Sequence, residues 1–196
     1  MTSTEKILHL LDGLAYSDTK VRFKILDELY KWAHTDYSDD THLTAGTADY
    51  ELWHEEREVL FRKALPEVFL RGAVDGLDND EYLLLGRIAC GLLAHCYADT
   101  EETKEYLHPH IPVLLHHLDG TPQWAAAAAW ALGELGYKEA LPQLWKALRR
   151  APLVLVPVLI QLEGPEVEQQ IREREPKAYK QYMKDPNPDL INYFWK

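Results

Sequence analysis

An all-α fold, stacked as an α-solenoid of about four to five helical hairpins, is what this chain of 196 residues predicts. Three observations carry the expectation. The first is a copy at a 30-residue offset: Ile111-Pro112-Val113-Leu114 with His117-Leu118 returns as Leu141-Pro142-Gln143-Leu144 with Ala147-Leu148. Apolar residues fall at the same places around each proline, and that spacing is one face of a helix. The second is an alanine-rich stretch, Ala125 to Gly136, with punctuation at both ends. Thr121 suits an N-cap, Pro122 the first helical position, and Gly136 a left-handed stop. The third is that no segment sustains period-two alternation, so no sheet is expected. Self-similarity at a fixed period marks repeat architectures.

The helices are expected in order at about 4–14, 18–34, 50–64, 66–76, 80–98, 109–118, 122–135, 138–149, 152–162 and 165–183. Near the start, Leu11-Asp12-Gly13 echoes Leu118-Asp119-Gly120, and Val21, Ile25, Leu29 and Trp32 form one apolar stripe. The polar segment Thr35 to Asp49 is a long connection. Leu65-Pro66-Glu67-Val68 reads as the start of a helix like those at Pro112 and Pro142. Ala89-Cys90-Gly91-Leu92-Leu93-Ala94 matches Ala128-Ala129-Trp130-Ala131-Leu132-Gly133 further on, with small residues where two helices can approach closely. Asp99 to Leu107 is a second long connection with room for a helical turn. The most apolar run, Leu153 to Leu162, is interrupted by Pro157 and is far short of the roughly 20 residues a bilayer span needs. One domain over 1–184 is expected. The remaining 185–196 are expected to form an aromatic tail, in which Asp185-Pro186-Asn187-Pro188 cannot continue a helix and Tyr193-Phe194-Trp195 is read first as a cap docked on the last repeat and second as an anchor inserted into a partner.

The pattern Ala128-Ala129-x-Ala131-Leu132-Gly133-x-Leu135-Gly136, followed by Ala140-Leu141-Pro142-x-Leu144-x-x-Ala147-Leu148, resembles a HEAT-like repeat of the phycobilisome-lyase type. It covers 118–148 well and 80–118 loosely. The resemblance implies a curved stack of helix pairs that binds another macromolecule. The motif specifies architecture, not chemistry.

Net charge is −11 and unevenly spread. Residues 1–100 carry 19 acidic and 10 basic side chains, against 13 and 11 in residues 101–196. Such an excess disfavours a phosphate backbone as partner and suits a basic protein. The N-terminal stretch has no basic run followed by an apolar one, so a cytoplasmic, soluble chain is expected, with no membrane partner. The two cysteines, Cys90 and Cys96, lie six apart on one expected helix and point differently, so they read as small core residues and not a disulfide.

Catalytic signatures are sparse. There is no phosphate-binding glycine-rich loop, no nucleophile elbow and no His-Glu-x-x-His. His110 and His117 could share a helical face, but no acid stands at the spacing that would complete a metal site. Asp36, Asp39, Asp40 and His42 could approach a hard cation, yet their spacing is not that of a calcium loop, and a solvated loop is the plainer reading. No cofactor is expected. The function expected is therefore non-catalytic protein binding, for instance an inhibitor or immunity-type protein that covers a basic partner. The partner-binding residues expected are Asp36, Asp39, Asp40, Trp53, Glu55, Glu56, Trp124 and Trp130. Acids would supply the charge, and tryptophans the anchors common in interfaces. The alternative is an enzyme or cofactor-binding protein holding a metal or tetrapyrrole in the solenoid groove. A homo-oligomer closed through exposed aromatics is a third reading.

Overall fold

The computed structural model describes residues 3–14, 18–34, 62–73, 77–95 and 101–185. Among these residues every regular element is helical. Backbone contacts cluster into two compact units, Met1–Tyr97 and Ala98–Lys196.

The first unit contains α1 (Ser3–Gly13), α2 (Thr19–His34), α3 (62–72) and α4 (Asn79–His95). Helix α2 starts at Asp18, whose Oδ1 accepts from the Lys20 amide at 2.8 Å. Helix α4 starts on a capping box. Asp78 Oδ1 accepts from the Glu81 amide at 2.8 Å, and the Glu81 carboxylate accepts from the Asp78 amide at 3.0 Å. Two orphan amides are thereby satisfied at one helix start. Helices α1 and α4 both pack on α2, with Leu11, Leu26, Leu29, Leu85, Ile88 and Leu93 buried.

Helix α2 does not bury the stripe expected of it. Leu26 and Leu29 are buried, but Val21 and Phe23 are largely exposed, and Ile25 is half-buried. On the same first turn Arg22, not Val21, is directed at α4, where it pairs with the buried Glu81. The side chain of Trp32 lies outside the described residues. Helix α3 runs through Pro66, where a break was expected. Ala64, Leu65, Val68 and Phe69 are all buried around it, and their packing outweighs the lost backbone bond. Cys90 is buried, as its small-core reading implies, while Cys96 lies outside the described residues.

The second unit repeats itself in space at the period read from the sequence. A 3-10 turn (His108–His110) leads into α6 (Ile111–His117), and a 3-10 turn (Lys138–Ala140) leads into α8 (Leu141–Ala147). The longer helices α7 (Pro122–Glu134) and α9 (Pro152–Glu163) start at the same offset, each with proline in its first turn. Before them stands α5 (Glu101–Leu107), a full short helix in the expected connection. Helices α7 and α9 pack against each other; α6 lies on α7, and α8 on α9. Helices α10 (Val167–Arg174) and α11 (Pro176–Tyr182) continue the series, with α11 packed on α9. One helix was expected over 165–183. Pro176 divides it, because the residue before a proline is pushed out of helical geometry, and Glu175 sits at φ −131° and ψ 56°. Helix α9, by contrast, runs through Pro157, held by Leu155, Val156, Val158 and Leu159, all buried.

The punctuation of α7 matches its sequence. Thr121 is extended at φ −63° and ψ 164°, and its hydroxyl accepts from the Trp124 amide at 3.4 Å. At the other end Gly136 has φ 63°. The Tyr137 amide donates to Leu132 O and the Gly136 amide to Gly133 O, the paired bonds of a Schellman stop. A Cβ at Gly136 would meet nothing within 4 Å, so only backbone strain opposes a substitution. Gly136→Val is expected to lower stability by about 1–2 kcal/mol and Gly136→Asn by less, measured by urea unfolding. Equal midpoints for the two variants would show that the left-handed geometry is not what ends α7.

Candidate functional site

Of the residues expected to touch a partner, Asp36, Asp39, Asp40, Trp53, Glu55 and Glu56 lie outside the described residues. Trp124 is a correction. It is completely buried, and its ring stacks on the His117 imidazole at 4.0 Å and 13°. The helix phase explains this. Its neighbours Ala125 to Ala129 are also buried, so α7 is enclosed on nearly every side and has no outer face here for Trp124 to occupy. Small alanines allow that enclosure, because neighbouring helices come close. Trp130 keeps part of its surface open. His110 is half-buried on the 3-10 turn and His117 is fully buried in α6, so the pair does not form an open face. Among the described residues no group of three or more His, Cys, Asp or Glu is placed to hold a metal ion.

In the second unit, cations at the end of α8 and in the turn after it reach partners on the turns to either side. Arg150, in the turn before α9, reaches back to the turn before α7. Its Nη1 donates to the carbonyls of Asp119 at 2.8 Å and Gly120 at 3.0 Å. Lys146 joins it, with Nζ 3.0 Å from the Asp119 carboxylate. That carboxyl is held below the usual carboxylate range, first by the hydrogen bond from Lys146 and then by the charges of Lys146, Arg150 and His116. Arg149, next door, reaches forward. Its Nε and Nη2 donate to the two oxygens of Glu175 at 2.6 and 2.9 Å. Three successive turns are therefore linked along one edge by side chains from the middle one.

Beside the last link lies an open groove of about 480 Å³. Arg149, Arg174 and Lys177 line it with one carboxylate, Glu175, and with Pro152 and Pro176. Trp145 stands behind Arg174, whose guanidinium carbon is 5.7 Å from the indole centroid. Trp145 is itself fixed, because its Nε1 donates to Glu163 at 3.0 Å. Two guanidiniums are thus pre-oriented, one by a carboxylate and one by an aromatic face. Among the described residues neither Arg174 nor Lys177 forms an ion pair.

Sequence reasoning passed over this groove. Its signal was the basic clustering of Lys146, Arg149 and Arg150, and of Arg172, Arg174 and Lys177. Summing charge over residues 101–196 averages those clusters against surrounding acids and hides them. No helix among the described residues is long and apolar enough to cross a membrane. Compared with protein-family models, curated proteins and solved structures, the chain matches none of them.

Proposed function

We propose that the chain is a non-catalytic protein-binding scaffold, an α-solenoid of HEAT-like hairpins acting as an inhibitor or immunity-type protein for a basic partner. The observation that supports this reading best is the 30-residue repeat of turn, short helix and long helix between His108 and Glu163. Each such pair cannot bury its apolar face alone, so pairs stack and leave a row of turns and short-helix faces for recognition. The acid excess of residues 1–100 supports a basic partner, since charge complementarity speeds encounter and suppresses wrong partners.

The test is capture. The full chain, immobilised and challenged with lysate of its native host, is expected to retain a basic protein at near-equimolar ratio by mass spectrometry. Retention should weaken as salt is raised, because exposed charges more than about 10 Å apart are screened at 0.1 M. Recovery of no protein at stoichiometric yield overturns the scaffold reading. Recovery of an acidic partner alone overturns the charge assignment.

A further inference from the structure

Taking the scaffold reading above as its basis for a peptide occupant, we propose that the groove between Arg149, Arg174 and Lys177 is a second recognition site, which takes an acidic segment of a partner protein through its side-chain carboxylates. The chain as a whole carries net charge −11, yet this concavity presents three cations against one carboxylate. Glu175 occupies the Nε–Nη2 side of Arg149 and leaves its Nη1 hydrogens for a ligand. Arg174, stacked over Trp145, keeps the in-plane edges of its guanidinium available for a bidentate carboxylate. Lys177 adds a third charge from the first turn of α11. The two guanidiniums are held before the ligand arrives, which lowers the ordering cost of binding.

The rest of the lining selects the occupant. Pro152 and Pro176 give apolar wall on which peptide side chains can rest, and the volume of about 480 Å³ suits a short peptide segment. A polynucleotide would need a continuous basic track. The groove is a local patch, and the acids Glu163, Glu166, Glu168 and Glu173 stand on neighbouring parts of α9, α10 and their connection. Extended phosphate chains would meet them.

The experiment titrates a fluorescently labelled, capped hexaglutamate peptide into the full chain and follows anisotropy, beside a capped hexaglutamine peptide and a short single-stranded DNA oligomer. Hexaglutamate is expected to bind, hexaglutamine and DNA at least about tenfold more weakly, one tenfold step being about 1.4 kcal/mol. Arg174→Glu and Lys177→Glu, each checked for unchanged helicity by circular dichroism, should each weaken hexaglutamate about tenfold. Arg174→Lys should lose less than Arg174→Glu. The proposal is overturned if hexaglutamate does not bind at about 1 mM, if hexaglutamine or DNA binds as tightly, or if well-folded charge-reversal variants bind like the parent chain. Lysate capture by the Arg174→Glu chain separates the two readings. Retention of a basic partner with loss of hexaglutamate leaves the scaffold reading standing whatever the groove does.

Discussion

Removing Glu81 is expected to unfold the first unit more readily than any surface change there. Its carboxylate is fully buried and does two things at once. It closes the capping box of α4 on the Asp78 amide, and it receives Arg22 Nε at 2.6 Å and Nη2 at 3.1 Å from α2. A buried pair gains little over an apolar pair of the same shape, because both ions are desolvated, but breaking one half strands the other. Glu81→Ala should therefore cost about 3 kcal/mol or more, and lower the melting midpoint by roughly 10 °C. Glu81→Gln keeps an acceptor for Asp78 and should cost less. The decisive comparison is Arg22→Met with Glu81→Leu, which removes both charges and should recover more than half the loss of Glu81→Ala. A double variant as unstable as Glu81→Ala would mean that the capping box, not the stranded charge, sets the cost.

Trp124→Ala is the second large effect. Among the described residues the side chain is the largest fully buried one, it stacks on His117, and it lies in the first turn of the central helix α7. Truncating a buried tryptophan costs about 3–5 kcal/mol, from lost burial and from the cavity left behind. Trp124→Phe keeps most of the volume and should cost less than half as much. Both are read by urea unfolding monitored by circular dichroism at 222 nm. A Trp124→Ala chain within about 1 kcal/mol of the parent would restore Trp124 to the surface role first expected of it.

The two sites differ in how far the amino-acid pattern announced them. Repetition in the second unit was visible because its determinants are local. Pro112 and Pro142 begin matching helices, Thr121 caps α7, and Gly136 stops it, each through its own backbone. The split at Pro176 was equally local, and helical amphipathicity on both sides masked it. What stayed hidden depends on partners far along the chain. Asp78 and Glu81 spell a capping box, but nothing near Arg22 says that it crosses 59 residues to meet them. Trp124 follows the same rule in reverse. It was expected as an interface anchor, whereas the alanines beside it let neighbouring helices close around it. The groove assembles from Arg149, Arg174 and Lys177, and only the return of α10 and α11 toward α8 puts them together.

The charged stitching of the three turns has a mechanical meaning. Arg150 and Lys146 tie the turn at Asp119, and Arg149 ties the turn at Glu175, so one margin of the second unit behaves like the bound spine of a book. Exposed ion pairs add little to global stability, on the order of 0–1 kcal/mol each. Their effect is directional: stretching that margin must break several charged contacts in series, whereas at the far ends of α7 and α9 the Gln161 Nε2 bond to Gly133 O, at 3.3 Å, is a neutral link. Bending of the unit is therefore expected to be anisotropic, and a partner that wedges the leaves apart at those far ends meets fewer charged links than one that pulls on the spine.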